Sequence, residues 1–364
     1  MKAWFFVLVE VARRTSFGWF NAAVWSRNFH FWPVDQSSPT IGRPTSLAMY
    51  ATWDSQHYLY LATHGYRHAE ISMVFFPGWP LLLSLGGDDP RVALALGLVL
   101  ANLCSAGALW LLHRLVAKRH DETIADLTIV LILCFPTAFF LCVPYSESLF
   151  LLLTVGALAL LAERRFALTA LVALLAATVR PLGLCLAVPL GFELLRQRQW
   201  LSLPLCLVPL LGFAVHRAVV AHQALGGAQL ADYSALFVAH QSPWNVVDLP
   251  RLASLYLQPL RWHGVVDSAI DRIVFGLTLV VGAWGLKRRD DRAWTLYALA
   301  LCWVAGTATS LVSFTRYALC AFPLFVIAAQ LLAQRRWSRA IYFAVALPLQ
   351  LLFMLRHIHN YWVG

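Results

Sequence analysis

Long apolar runs separated by short polar joints dominate the chain. The runs fall at about 92–112, 123–143, 146–162, 166–179, 182–195, 201–221, 270–286, 293–313, 317–333 and 340–355. A helix rises 1.5 Å per residue, so about 20 apolar residues cross roughly 30 Å of hydrocarbon. The pattern predicts an all-α polytopic membrane protein, a bundle of about 10–11 transmembrane helices. A first, uncleaved helix lies somewhere in residues 3–25, where Glu10, Arg13 and Arg14 interrupt the apolar run. The runs at 166–179 and 182–195 are short for full spans and read as two short crossings or a re-entrant pair. Residues 26–91 and 222–269 form two longer loops within a single domain, 1–364. No internal repeat of the kind transporters carry stands out.

Composition agrees with the pattern. Of 364 residues 60% are hydrophobic and 13% charged, against about a quarter charged in a typical soluble domain. The formal charge of +10 sits between apolar runs, where orientation signals belong, so nucleic-acid binding is not expected. Cys104, Cys134, Cys142, Cys185, Cys206, Cys302 and Cys320 all fall in or beside apolar runs, without metal-binding or disulfide spacing. They read as packing residues.

Basic joints set the orientation. The clusters are Arg114/Lys118/Arg119, Arg164/Arg165, Arg196/Arg198, Lys287/Arg288/Arg289/Arg292 and Arg335/Arg336/Arg339. If 166–195 makes two passes, all of them share one face, which the positive-inside rule makes cytoplasmic. The opposite face collects both long loops, the Pro144–Glu147 corner, the Arg180-Pro181 break and the Ser313–Arg316 turn. Charged residues at broken helices mark functional sites in membrane proteins.

Taken singly, these residues leave alternatives open. Asp54 is a catalytic acid or base, or a helix N-cap. Arg180 and Arg316 grip phosphate or snorkel to the interface. Glu147 caps the helix starting near Ser146, or orients Arg180 or a sugar hydroxyl. His57 and Tyr58 follow Asp54 at helical spacing and either tune it, bind substrate or pack. Gln241 and Trp244 offer a hydrogen bond and a stacking face for a sugar, or an interfacial anchor. His64 and His68 suggest a metal face, but Gly65 breaks the helix and no carboxylate shares the spacing, so no metal is expected. Asp88-Asp89-Pro90 reads as a turn and N-cap rather than an acidic pair.

In order along the chain stand Trp53-Asp54-x-x-x-Tyr58 with Ala62 and Gly65-Tyr66, Phe75-Phe76-Pro77-x-x-Pro80, Pro144-Tyr145-Ser146-Glu147 and Thr178-x-Arg180-Pro181-x-Gly183. Gln241 with Trp244, Arg316-Tyr317 with Phe322-Pro323, and Trp362-Val363 complete the series. It resembles the PIG-V family of mannosyltransferases over nearly the whole chain. The resemblance implies a GT-C-like integral-membrane glycosyltransferase with a polyprenyl-phosphate-linked sugar donor, a lipid or glycan acceptor, inversion at the sugar and no metal or other cofactor. It implies Asp54 as the base, and mannose as the sugar. Nothing in the residues themselves reads a hexose hydroxyl pattern.

Inverting transfer needs one carboxylate to take the acceptor proton and positive charge to stabilise the departing lipid phosphate. Asp54 is the expected base and Arg180 and Arg316 the phosphate-binding cations. Trp53, His57, Tyr58, Glu147, Gln241 and Trp244 are expected to bind or orient substrate. Short loops and compact length suit a bacterial inner-membrane protein whose site faces the periplasm or cell exterior. Two rivals are a transporter or flippase of a lipid-linked sugar, and a GT-C-like partner subunit without activity. A transporter needs its charges near the midplane, and an inactive partner has no need to keep Asp54, Arg180 and Arg316 together.

Overall fold

The computed structural model describes residues 1–16, 19, 21, 45–67, 71–223, 243–257, 259–263, 268–288, 292–308 and 311–363. Among them the regular structure is helical, and no sheet forms. The first helix is Lys2–Thr15, starting one residue before the expected window of 3–25 and ending well short of its far edge. Pro90–Arg119, the longest of the described helices, packs against Glu122–Cys134 and Glu147–Ala162, and the latter against Phe166–Val179. Its inward face carries Ala93, Gly97, Ala101, Ser105 and Ala108, small residues that let neighbouring backbones approach. Its outer face shows Val92, Val99, Leu103 and Trp110. An apolar outside wrapped around a close-packed inside is the arrangement of a chain solvated by lipid.

Four of the described helical stretches are long and apolar enough to cross a membrane: Pro90–Arg119, Trp200–Gln223, Ala269–Leu286 and Arg336–Ile358. Glu147–Ala162, Phe166–Val179 and Phe322–Ala333 are apolar but shorter. The difference from an even row of spans has local causes. The 123–143 run stops as a helix at Cys134, and Pro136 follows. The 182–195 run starts as a tight 3₁₀ turn, Pro181–Leu186, before the Ala187–Arg196 helix. The 201–221 run starts as a 3₁₀ stretch containing Pro204 and Pro209, which lack the N–H an α-helix needs.

Phe166–Val179 runs away from Arg164, and Ala187–Arg196 returns. Arg164 and Arg196 then line a common cavity with Arg119 and Trp294. At this same end the Arg119 guanidinium lies 4.8 Å from the Trp294 ring centroid. Gln330 joins it by bonding Arg288 and lying 3.2 Å from His120. Arg119, Arg164, Arg196 and Arg288 are therefore gathered at one pole, while Arg180, at the far end of Phe166–Val179, belongs to the other.

Candidate active site

The site is assembled from short helices entered through unusual backbone. Asp54 opens the Asp54–His64 helix directly after Trp53, whose φ of 49° is in the left-handed region. Arg316 lies in the Phe314–Ala318 helix directly after Ser313, at φ 59°. Conformations of this kind in non-glycine residues cost about 1–3 kcal/mol each and persist where surrounding contacts enforce them. Those contacts are present. Tyr145 donates to the carbonyl of Thr52 at 3.1 Å, and Thr52 Oγ1 lies 3.2 Å from His357 Nε2. Thr315, beside Arg316, is clamped from two sides: its N–H donates to Asp271 Oδ1 at 2.7 Å and its carbonyl accepts from Thr137 at 3.1 Å.

Four charged side chains then meet. Arg316 Nη2 lies 2.8 Å from Asp54 Oδ2, and Arg316 Nε lies 2.9 Å from Glu147 Oε1. The second contact is a close ion pair rather than an aligned hydrogen bond. Arg180 Nη1 approaches the same Glu147 oxygen at 2.6 Å and donates to Ser146 Oγ at 3.2 Å. Ser146 Oγ lies 2.7 Å from the Tyr58 hydroxyl. Aromatic faces surround the cations: Tyr317 lies 4.8 Å from Arg180, and Phe140, Tyr145 and Tyr317 each 5.5 Å from Arg316. Arg180, Arg316 and Glu147 are all buried. An isolated charge at such depth would be strongly unfavourable; two guanidiniums against two carboxylates make a neutral set.

Asp54, Tyr58, Arg180, Arg316 and Tyr317 form the polar end of a cavity of about 350 Å³. Its remaining wall is apolar, with Phe75, Phe76, Leu182, Leu184, Val246 and Val304 among its residues. The Asp54 side chain keeps 16% of its surface exposed, so an edge of the carboxylate remains reachable beside its pairing with Arg316. Burial raises the Tyr58 phenol well above its usual range, so it stays a neutral hydroxyl.

The motif glycine after Arg180 has a steric reason. A β-carbon on Gly183 would overlap the backbone of Ala176 and Ala177, so only glycine lets the Pro181–Leu186 turn fold back onto its own helix. The turn holds Arg180 at the helix end, where Pro181 cannot continue the bonding pattern.

Not every expected residue reaches the charges. His57 bonds Ser72 at 2.9 Å and stacks on Phe75 at 4.8 Å, a packing position. Trp53 meets Trp362 edge-to-face at 5.1 Å, tying the loop to the C-terminal Trp-Val segment. Gln241 lies outside the described residues. Trp244 belongs to the Pro243–Val246 turn, but its side chain also lies outside the description. That turn reaches the cavity through Val246, whose carbonyl accepts from Trp303 Nε1 at 3.0 Å. Asp89 caps the Pro90–Arg119 helix through the N–H of Arg91 at 2.8 Å. His64 stacks on Tyr60 at 4.7 Å, and His68 lies outside the described residues. Among the described residues no group of three metal-ligating side chains gathers.

Sequence reading passed over several participants. Ser146 and Tyr317 were inside quoted motifs without a role. Asp271 carries a signal in the sequence, since it opens the apolar Ala269–Leu286 helix beside Arg272, and a buried carboxylate requires a partner. Thr52, Thr137 and His357 gave no signal, because their partners come from remote parts of the chain.

Fold and site together define a polytopic membrane protein with a buried cluster of carboxylates and guanidiniums at the end of an apolar cavity. Residues 42–265, more than half the chain, match the family model described as Mannosyltransferase (PIG-V), and the chain belongs to that family. It is similar to GPI alpha-1,6-mannosyltransferase 2 of Mus musculus, 32% identical over 253 residues that cover 58% of this chain and 50% of that protein. The Homo sapiens protein of the same name is 34% identical over 161 residues, 40% of this chain and 31% of that protein. GPI mannosyltransferase 2 of Cryptococcus neoformans var. neoformans serotype D is 31% identical over 144 residues, 36% and 34% respectively. This chain thus spans half or less of these relatives' lengths. Among solved structures it is similar to the Archaeoglobus fulgidus oligosaccharyltransferase tethered with an acceptor peptide. That match has 12% identity and a TM-score of 0.42, and covers 99% of this chain and 56% of the other.

Proposed function

We propose that the chain transfers mannose, with inversion, from a polyprenyl-phosphate donor to a lipid or glycan acceptor. The observation that carries this reading is the cavity itself: an apolar chamber suited to a lipid tail ends in two arginines, two tyrosines and a reachable carboxylate. In one displacement the acceptor oxygen bonds to sugar C1 and the C1–O bond to phosphate breaks. The bonding pair leaves on the phosphate, and Asp54 takes the acceptor proton. The departing phosphate is a weak base and needs no second acid. It needs cationic donors in a water-poor place, which Arg180 and Arg316 supply. Because Arg316 also holds Asp54 at 2.8 Å, base and phosphate site are positioned by one guanidinium. Glu147 fixes both cations, Tyr58 is part of the polar wall, and Ser146 holds Tyr58 and Arg180 from behind. With two guanidiniums on the phosphate, the proposed mechanism uses no metal.

The positive-inside rule assigns the basic pole to the cytoplasm and the cavity to the exoplasmic face. The favoured setting is a bacterial inner membrane with the site open to the periplasm. The test is an assay of the purified protein with polyprenyl-phosphate mannose, polyprenyl-phosphate glucose and nucleotide-linked mannose, against a panel of glycolipid and glycan acceptors. Turnover with polyprenyl-phosphate mannose alone is the expected result. Turnover with the nucleotide sugar in its place would overturn the donor assignment.

A further inference from the structure

His357 belongs to the Arg336–Ile358 helix, is buried and does not line the cavity of the candidate site. Its contacts nevertheless reach both halves of the Asp54–Arg316 pair. On one side its Nε2 lies 3.2 Å from Thr52 Oγ1, two residues before Asp54. On the other its ring packs on Phe140 and Tyr145, at 5.3 and 6.0 Å between centroids. The same two rings each lie 5.5 Å from the Arg316 guanidinium. Apolar residues of similar shape in place of Thr52 and His357 would fill the space as well. What the polar pair adds is direction.

Direction matters at Thr52. The next residue, Trp53, takes a φ of 49°, which a non-glycine residue keeps only under constraint. The constraints fall on Thr52 and Trp53 themselves. The Thr52 carbonyl accepts from the Tyr145 hydroxyl and from the Ser55 N–H, each at 3.1 Å. Trp53 meets Trp362 edge-to-face at 5.1 Å, and Arg356 secures that partner by donating to the Trp362 carbonyl at 3.0 and 3.3 Å. Residues 356–362 therefore grip the entrance to the Asp54–His64 helix at two points, Thr52 and Trp53.

We propose that His357 is a positioning residue for the base. Through Thr52 it holds the Trp53 entrance in its constrained conformation and so keeps the Asp54 carboxylate beside Arg316 at the edge of the cavity. The inference rests on Asp54 as the base, as proposed above. His357 touches no reacting atom and takes no proton from substrate. Its effect falls on kcat, because a small displacement of a group that acts in the transition state slows the reaction, while Arg180 and Arg316 still hold the phosphate.

The experiment uses the full chain in detergent with polyprenyl-phosphate mannose and the best acceptor of the panel. Thr52→Val removes the hydroxyl and keeps the shape; His357→Leu removes the imidazole. Each should lower kcat about tenfold with a small change in donor KM. Because both act through one contact, the double variant should also lose about tenfold rather than about a hundredfold. His357→Gln, whose amide can bond Thr52, should recover most of the loss. Hydrogen–deuterium exchange at Ser55 and Gln56, whose N–H groups bond the Thr52 and Trp53 carbonyls, should rise in both single variants. A loss of about a hundredfold in the double variant, or a lowered unfolding midpoint with normal kcat, would reduce His357 to a packing residue and overturn the proposal. Unchanged exchange at Ser55 and Gln56 would overturn it as well, whatever the donor assay gives. Absence of turnover with every donor would instead strike the function proposed above, and the exchange measurement would then decide the clamp alone.

Discussion

Asp54 Oδ2 and Arg316 Nη2 lie 2.8 Å apart, bringing a helix of the first loop against one near the C-terminal end. Each lies in a helix whose preceding residue has positive φ, Trp53 in one case and Ser313 in the other. The pair therefore forms only when both helix entrances are held by the surrounding contacts. Glu147 completes the arrangement by meeting Arg316 and Arg180 through one oxygen.

Glu147→Gln removes the carboxylate shared by two buried arginines. Breaking a buried ion pair from one side costs about 3–5 kcal/mol, because it leaves charge uncompensated. The exposed pair of Arg196 with Glu193 is worth about 0–1 kcal/mol by the same physics. Thermal unfolding in detergent should therefore show a large drop for Glu147→Gln and little change for Arg196→Ala. Equal effects would mean that Glu147 is not the counterion of the cluster.

Asp271→Asn weakens the clamp on Thr315 without touching the cavity: the carboxylate accepts from Thr315 through one oxygen and faces His263 at 4.0 Å with the other, and neither Asp271 nor His263 lines the cavity. As a positioning residue it should lower kcat by about tenfold with a small change in donor KM, since a small misplacement of a group that acts in the transition state slows the reaction. Steady-state kinetics at varied donor concentration separates this from simple destabilisation. A change in expression and unfolding midpoint with normal kcat would reduce Asp271 to a structural residue.

Gly183→Ala places a methyl group against the backbone of Ala176 and Ala177. Overpacking of this kind costs about 1–3 kcal/mol. Because the same turn holds Arg180, donor affinity should fall along with stability. Donor binding that is preserved while the midpoint drops would separate the turn from the phosphate site.

Chelation gives a further outcome. With Arg180 and Arg316 stabilising the departing phosphate, turnover should persist in excess EDTA. Loss of activity on chelation, restored by a divalent cation, would require a metal that the present account does not use.

Much of this organisation was legible in the sequence, for identifiable reasons. Apolar runs reveal helices because lipid-exposed backbone must satisfy its own hydrogen bonds. Charges at membrane breaks are costly to keep without a role, which draws attention to Glu147, Arg180 and Arg316, whereas Asp54 stands out through the family resemblance. Segment lengths were less legible: hydropathy continues through Phe135–Pro136 and through Pro204 and Pro209, whereas the α-helix does not. The sharing of Glu147 by two arginines was also hidden, since the partners lie on different helices and no local spacing encodes their meeting. At His57 helical spacing leaves several roles open. Its helical spacing from Asp54 is real, yet its ring turns to Ser72 and Phe75.

The central claim is that Asp54 is the base of mannosyl transfer. Asp54→Asn keeps the side-chain shape and a hydrogen-bonding oxygen for Arg316 but cannot accept the proton at useful pH. With polyprenyl-phosphate mannose and the best acceptor from the panel, turnover should fall by about 10²–10⁴, while donor binding, measured separately, is retained. Turnover equal to that of the unaltered chain would contradict the account.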